Sequence, residues 1–420
     1  MFQLMCKDDV RAEFDLINKG DYYVDNVSVK GTLPVGCSAE RLFSWLNNRH
    51  ASKHREHLTQ YLNKIGCNDV VGFLALTHGI SINDCYWVRK KEENIAWGNV
   101  SPYANDFDEI VQHLAFDGKG LFGERLSTTS PEFGTSGAFD KCWIREDNSI
   151  YLIKRGSDIA SNSGLEPYCE VLASQVFRKI KAGIPYKLIH YRGKVASKCK
   201  IFNDESRSFV PYGRLPNAAD SLPKIMQFFD SLGYSTFRRI IICDALTLNS
   251  DRHMGNYGVF CHPETNEVTA PAPGFDYNLS MLPYATRDDF AAILAKITAC
   301  TPKIGSSFLS AAKAALTADI RKDLQALKGI ELTLDFYDER FPEERAKWMT
   351  AIVNEQIDNI LYDRQPVYPS IKVDGLSNTM KYRMKLHLTE EEWIQQVPHL
   401  MKLFQIQHMD ELEREIVKLL

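Results

Sequence analysis

The sequence LNSDRHMGNYGVF, residues 248–260, is followed after a short loop by GFDYN, and together they hold a group of polar side chains between apolar segments. Asp251 and Asn256 lie in one short loop, and Asp276 follows on the next apolar segment. Asp and Asn often cap turns through local hydrogen bonds, so any one of them alone would indicate only a turn. Several of them in a loop bounded by apolar segments indicate a chemical site.

The spacing of Asp251 and Asn256, five residues apart, is that of the Asp and Asn in the protein-kinase catalytic loop. In that loop the Asp accepts the proton of the acceptor hydroxyl and the Asn binds a metal ion. Asp276 can supply a second metal ligand. Phosphoryl transfer requires little covalent chemistry from a protein, so a carboxylate beside the nucleophile and oxygen ligands for Mg²⁺ suffice. The stretch therefore predicts phosphoryl transfer.

The segment STTSPEFGTSGAFDKCWI, residues 127–144, precedes an apolar strand that ends at Lys154. A Gly-containing loop between two strands can place backbone N–H groups against nucleotide phosphates. It is not a Walker A sequence, and an ordinary hairpin loop is the alternative. A lysine at position 154 can reach the α- and β-phosphates if a carboxylate holds it. Glu166 and Glu170 share one face of the next predicted helix, so either carboxylate could pair with Lys154.

The composition argues against several classes of protein. The net charge of −4 over 420 residues lacks the basic excess typical of nucleic-acid-binding domains, so nucleic acid is not expected as a ligand. The ten cysteines are scattered without zinc-ligand spacing and are predicted to be reduced thiols. The first residues do not resemble a signal peptide, and no stretch reaches the roughly 18 apolar residues of a membrane helix. We expect a cytoplasmic protein that does not bind membranes.

Four parts are predicted along the chain, whose length suggests more than one domain. Residues 1–115 form an accessory α/β module without recognisable chemistry. Residues 116–203 carry the Gly-rich loop and most of the later predicted strands, and residues 204–363 are mainly helical and carry the Asp251 loop. Residues 364–420 begin with a Pro- and Gly-containing linker and end in a small helical appendage.

Two motifs resemble those of the HipA family of bacterial serine/threonine kinases. Gly137, Ala138 and Lys141 fit the family's G-A-x-x-K signature, and the sequence from Asn249 to Asn256 fits N-x-D-x-H-x-x-N. The resemblance covers roughly residues 127–363. It implies an α+β, two-lobed protein-kinase-like fold, with a small β-rich N-lobe and a helical C-lobe after the accessory module.

The resemblance also implies ATP and Mg²⁺ as cofactors and a role for each site residue. Asp251 would be the catalytic base, and His253 would organise its loop. Asn256 and Asp276 would bind Mg²⁺. Lys154 would contact the ATP phosphates with help from Glu166 in preference to Glu170, and the strand through Lys200 would lead into the hinge that receives adenine. The expected nucleotide-binding residues are Gly134, Thr135, Ser136, Gly137, Ala138, Lys154, Glu166 and Lys200.

The chain departs from the family in two places. The family's regulatory serine falls near Gly134, with only Thr135 and Ser136 adjacent, and residues 1–115 do not match the usual N-terminal module of a HipA toxin. The expected partner is a protein substrate, and an antitoxin-like protein is a further candidate. Two alternatives stay open: a lipid kinase, because D-R-H-x-x-N is also similar to phosphatidylinositol kinases, and a nucleotide-binding pseudokinase.

Overall fold

The computed structural model describes residues 1–18, 21–49, 69–117, 130–135, 139–157, 164–284 and 300–362. The helices predicted near residues 58–65 and 287–298 lie outside these residues, as does the predicted C-terminal appendage. Among the residues that are described, no helix is both long and apolar enough to cross a bilayer.

The N-terminal part of the chain is built on a four-stranded antiparallel sheet in the order β3-β2-β1-β4. Its strands are β1 (Phe2–Cys6), β2 (Asp9–Asn18), β3 (Tyr22–Val29) and β4 (Tyr86–Lys90). The helices described beside it are α1 (Leu42–Asn47), α2 (Val70–Thr77) and α3 (Trp97–Val100). The sheet and helices enclose a core that contains the fully buried Trp87. Strand β1 was not predicted because its apolar run does not alternate with polar residues. Strand β2 does alternate polar and apolar residues from Asp9 to Leu16, and this signal was overlooked.

A second antiparallel sheet carries Lys154 and has the strand order β5-β6-β8-β7. Its strands are β5 (Lys141–Glu146), β6 (Ser149–Arg155), β7 (Lys187–Tyr191) and β8 (Lys194–Lys200). Both hairpin turns place two consecutive residues at positive φ, at residues 147–148 and 192–193, as tight two-residue hairpins require. The predicted turn at residues 192–193 is confirmed.

Two helices pack on this second sheet. Helix α4 (Glu109–Asp117) contacts β5, and its Phe116 is buried among residues of the sheet. Helix α5 (Glu166–Lys179) contacts β8, and its polar residues Glu166 and Glu170 are nearly fully buried. Buried carboxylates require partners, so this helix points to the candidate site.

The rest of the described chain is mainly helical, with a small sheet of order β11-β10-β9. Its elements are β9 (Ser208–Pro211), α6 (Leu222–Ser231), α7 (Thr236–Thr247), β10 (Gly258–Cys261), β11 (Val268–Pro271), α8 (Phe308–Ala315), α9 (Ala318–Leu327) and α10 (Glu343–Tyr362). Helix α7 packs against α5, α6, α8 and α10, so it lies at the centre of the core. It ends at Thr247, and the C-cap residue Leu248, with a φ of 54°, turns the chain into the Asp251 loop.

The segment of residues 201–207 joins β8 to β9, and we refer to it as the connecting segment. The Nδ2 atom of Asn203 donates to the Ile82 carbonyl at 2.7 Å. The carboxylate of Glu205 accepts hydrogen bonds from Trp97 Nε1 at 2.7 Å and from Ser101 Oγ at 2.6 Å. The N-terminal part of the chain therefore holds the connecting segment in place.

Candidate active site

A buried ion pair supports the loop that carries Asp251. Asp244, on the last turn of α7, accepts hydrogen bonds from Arg252 Nε and Nη2, both at 2.9 Å, and from Asn249 Nδ2 at 2.8 Å. Burial raises the pKa of Asp244, although Arg252 opposes that rise. Burial alone would lower the pKa of Arg252, and Asp244 raises it instead. Since either charge would be costly without the other, the pair fixes the path of the loop.

Arg252 also joins the two segments that carry the predicted metal ligands. Its Nη1 atom donates to the Asn256 carbonyl at 2.8 Å and to the Phe275 carbonyl at 2.6 Å. The Asn256 side chain donates from Nδ2 to the Asp251 carbonyl at 3.2 Å, which leaves Oδ1 as its acceptor atom. The loop of Asp251 and Asn256 is therefore bound directly to the residue that precedes Asp276.

Lys154 forms a buried ionic cluster with Glu170 and Asp276. Its Nζ atom lies 2.5 Å from Glu170 Oε1 and 2.7 Å from Asp276 Oδ1. Glu170 also accepts from Ser197 Oγ at 2.5 Å and from the Tyr277 amide at 3.1 Å. The cluster joins the second sheet, α5 and the segment after β11.

The prediction that Lys154 pairs with Glu166 is wrong. Glu166 is the first residue of α5 and accepts from Ser157 Oγ at 2.5 Å and from the Gly164 amide at 3.1 Å. Glu170 lies one helical turn further along, opposite the strands of the sheet, and is the carboxylate that reaches Lys154. The two glutamates share a helix face, so their spacing alone does not distinguish them.

Burial and neighbouring charges shift the pKa values of this cluster in opposite directions. Burial alone would raise the pKa of Asp276, but Lys154 and then Lys141 lower it to about 2. Burial alone would lower the pKa of Lys154, but Asp276 and Glu170 raise it above its usual range. For Glu170, burial raises the pKa of the carboxyl while Lys154 opposes that rise. The lysine is therefore held in its charged form by the carboxylates around it.

Two further features distinguish this cluster from an ordinary structural ion pair. Lys141 of β5 lies directly opposite Lys154 of β6 in the strand register, and both side chains are buried. Like charges directly opposite each other are unfavourable in a sheet. Asp276 has a φ of 58°, a conformation that non-glycine residues rarely adopt and that is common at functional sites. The two lysines concentrate positive charge at this end of the sheet, beside Asp276.

Asp251 faces a different environment from the buried cluster. Its amide donates to Asn249 Oδ1 at 3.2 Å, and its Oδ1 atom forms an ion pair with Lys303. A quarter of its side chain is exposed, at 25%. The neighbouring His253 is exposed, and its Nδ1 atom accepts from the Gly255 amide at 3.0 Å, so His253 stabilises the turn of the loop.

Of the five residues from 134 to 138 that were predicted to bind the nucleotide phosphates, the structure describes Gly134 and Thr135. Gly134 ends a 3-10 helix (Pro131–Gly134) and packs against the backbone of Ile80, where a Cβ atom would lie 2.4 Å from the Ile80 carbonyl oxygen. Thr135 is buried, donates from Oγ1 to the Pro131 carbonyl at 2.7 Å and accepts from Trp143 Nε1 at 2.9 Å. Ser136, Gly137 and Ala138 lie outside the described residues.

Lys200 does not join the Lys154 cluster. It is exposed at the end of β8 and pairs with Tyr151, whereas Ser197 pairs with Lys154. Alternation along the strand places the Lys200 side chain on the opposite face from Ser197. A contact between Lys200 and a nucleotide at the Lys154 face would therefore involve its backbone.

Sequence reasoning missed Asp244 and Lys303. Asp244 had a local signal, because it is a charged residue within the apolar sequence IIICDALTL and a buried charge needs a partner. Lys303 lies 52 residues after Asp251 and follows no pattern that would connect the two.

Comparison with known proteins identifies the fold. No family model matches the sequence, and no curated protein matches it. HipA of the toxin–antitoxin system of Shewanella oneidensis MR-1, solved with HipB and operator DNA, is 12% identical, with a TM-score of 0.53. This match covers 87% of the present chain and 100% of the HipA chain. The proinflammatory kinase CtkA of Helicobacter pylori is 15% identical over 53% of the present chain and 94% of its own, with a TM-score of 0.39.

The chain is thus a mixed α/β protein with a kinase-like fold. More particularly, that fold resembles the fold of HipA, and the resemblance noted from the two sequence motifs is confirmed at this level.

Proposed function

We propose that the protein is a HipA-like kinase that transfers the γ-phosphate of ATP, with Mg²⁺, to a serine or threonine hydroxyl of a protein. The observation that carries the proposal is the contact of Lys154 with both Glu170 and Asp276. This contact joins a small sheet to the segment that follows the Asp251 loop. In this proposal residues 116–203 and 204–363 are the two lobes, and the accessory module and the appendage lie outside them.

The buried lysines support the nucleotide part of the proposal. Lys154 and Lys141 place two ammonium groups on one side of the sheet, next to Asp276. Such a pair favours a polyanion such as a triphosphate. The residues from Gly134 to Ala138 would line the phosphates and the backbone near Lys200 would approach the adenine. Glu166 would act indirectly, by fixing the chain at Ser157 and Gly164.

The oxygen donors of the site fit magnesium. Asp276 and Asn256 offer carboxylate and amide oxygens, which are hard ligands, and Arg252 holds their two segments together. The described residues contain no group of three or more His, Cys, Asp or Glu side chains able to hold a metal. Magnesium bound with ATP takes many of its ligands from phosphate and water, so two protein ligands are appropriate. When bound, Mg²⁺ neutralises charge on the phosphate oxygens.

Asp251 is proposed as the base that receives the proton of the acceptor hydroxyl. Its position on a loop fixed by Asn249 and Arg252 restricts where the carboxylate can point. His253 would keep the loop in shape through its bond to the Gly255 amide. Position and orientation supply most of the catalysis in phosphoryl transfer, so a rigid loop suits this role.

We place the protein in the cytoplasm. The cysteines of the described residues are free thiols, as expected in a reducing compartment.

The proposal also includes a partner. The HipA structure contains HipB and operator DNA. An antitoxin-like protein is therefore a candidate partner, whereas the net charge of −4 does not favour direct DNA binding by this chain.

The test compares wild-type protein with Asp251→Asn, using labelled ATP, Mg²⁺ and separate protein and lipid acceptors. We expect transfer to protein by the wild type only. The variant should lose transfer by about 100-fold or more and keep its ATP affinity within about twofold. Transfer to lipid alone would favour a lipid kinase, and equal turnover by both proteins would remove Asp251 from the base role.

A further inference from the structure

Lys303 lies beside the proposed base through a contact between segments distant in sequence. Its Nζ atom forms an ion pair with Asp251 Oδ1. Ile304, the next residue, is buried in the main core, and Cys300 Sγ lies 3.9 Å from the Leu248 carbonyl at the end of α7. The segment that carries Lys303 is thus anchored on both sides of the lysine.

The exposure of this pair indicates that it contributes little to folding. The Lys303 side chain is 52% exposed and that of Asp251 is 25% exposed. Solvent-exposed ion pairs stabilise proteins by about 0–1 kcal/mol. Lys303 is held in place by its buried neighbour Ile304, but its ion pair adds little to the stability of the fold. Such a lysine is suited to a catalytic role.

Among the basic residues that the structure describes in this part of the chain, Arg252 and Lys154 are engaged in buried contacts. Arg252 is buried and bonds to Asp244 and to two backbone carbonyls. His253 uses Nδ1 as an acceptor within its own loop. Lys154 lies in the buried cluster with Glu170 and Asp276. Negative charge that develops on the acceptor side of the site would therefore meet the ammonium group of Lys303.

We infer that Lys303 contacts the γ-phosphoryl group and stabilises it during transfer, an inference that rests on the proposed kinase function. The acceptor oxygen forms its bond to the γ-phosphorus as the bond from that phosphorus to the ADP oxygen breaks. The hydroxyl proton passes to the Asp251 carboxylate, and ADP leaves with the bonding electron pair. Lys303 stays protonated throughout and donates hydrogen bonds to Asp251 and to an oxygen of the transferred group.

The test uses three variants of the full chain. Lys303→Met removes the charge and keeps much of the length, and Lys303→Arg keeps the charge. Lys328→Met is the matched control, because Lys328 is 48% exposed and pairs with Asp358 at 2.7 Å. The measurements are kcat, the KM for ATP, and the affinities for Mg-ATP and Mg-ADP by calorimetry.

We expect Lys303→Met to lower kcat by about 10- to 100-fold while the KM for ATP stays within about threefold. Its preference for ATP over ADP should fall by about two- to threefold, because only ATP carries the γ-phosphate. Lys303→Arg should recover at least about a third of the wild-type kcat, and Lys328→Met should stay within about twofold of the wild type.

Each other outcome contradicts the inference. A Lys303→Met protein with wild-type kcat and an unchanged ATP-to-ADP preference would show that Lys303 has no role in transfer. A gain in kcat would show that the ion pair blocks Asp251. If no acceptor is phosphorylated, kcat cannot be measured, and the inference is then tested by the calorimetric preference for ATP over ADP alone. If the wild type binds neither nucleotide, the proposed function and the inference are both overturned. If Asp251→Asn is inactive but Lys303→Met keeps the wild-type kcat and the wild-type preference for ATP over ADP, only the inference is overturned.

Discussion

Two ionic groups in this molecule contain the same kinds of side chain, but their lysines lie in opposite surroundings. In the cluster of Lys154, Glu170 and Asp276, the lysine and Glu170 are 6% and 1% exposed, and Asp276 at the edge of the cluster is 27% exposed. In the pair of Lys303 and Asp251 the exposures are 52% and 25%. A charge in the interior must be matched by opposite charges, whereas an exposed charge is solvated and can change partners. The buried cluster therefore holds the segments together, and the exposed pair remains available for a reacting group.

The largest expected effect comes from removing one carboxylate of the buried cluster. Glu170→Ala leaves the Lys154 ammonium buried with Asp276 alone and removes the acceptor of Ser197. The free energy of unfolding should fall by about 3–5 kcal/mol, as measured by urea denaturation. The control is Glu146→Ala, which removes a carboxylate that is 50% exposed from the same sheet. Similar losses in the two variants would mean that burial does not distinguish these ion pairs.

A second effect should appear at low pH and concerns Asp276. Its pKa in the folded protein is about 2, below the reference value of 3.8. The lowered value means that the folded state favours the carboxylate, so this contribution to stability is complete above pH 3.8 and is lost as the pH falls toward 2. It should amount to about 2 kcal/mol.

The measurement for Asp276 compares urea midpoints of wild type and Asp276→Asn between pH 6 and pH 2.5. The difference between the two proteins should shrink as the pH falls. A difference that stays constant over this range would mean that Asp276 titrates normally in the folded state.

The smallest expected effect concerns the stability of Lys303→Met. Because the Lys303 side chain is half exposed in its ion pair with Asp251, the free energy of unfolding should change by less than about 0.5 kcal/mol. The same urea denaturation measures it, with Lys328→Met as the control. A loss of stability comparable to that of Glu170→Ala would mean that the exposed ion pair contributes as much to folding as the buried cluster does.

The sequence was most informative where the chemistry is local. The Asp251 loop, Lys154 at the end of its strand and the turn at residues 192–193 all depend on neighbours in the chain. The HipA-like fold was inferred from two short motifs, and it is confirmed by a structure with only 12% identity. Local sequence patterns thus carried more information about the fold than overall identity.

The sequence was least informative where packing decides. Glu166 and Glu170 were equivalent by spacing, and only the approach of α5 to the sheet selects Glu170. Lys303 comes from a distant segment, so no local pattern predicts its contact with Asp251. The assignments of Ser136, Gly137 and Ala138 stay predictions, as do the roles of Asp251, His253, Asn256 and Asp276 in catalysis and metal binding.

The connecting segment has a consequence for the affinity of any ligand bound between the sheet and the helices. Phe202 of this segment packs against Phe275, next to Asp276, with ring centroids 5.1 Å apart, while Asn203 and Glu205 are bonded to the N-terminal part of the chain. Rotation of the sheet relative to the helices would break these hydrogen bonds or move the described residues of the N-terminal part as well. The work of such a rotation would enter the binding constant of any ligand whose binding requires it. Trp97 and Ser101, which donate hydrogen bonds to Glu205 of the connecting segment, would thereby be thermodynamically linked to the binding of such a ligand.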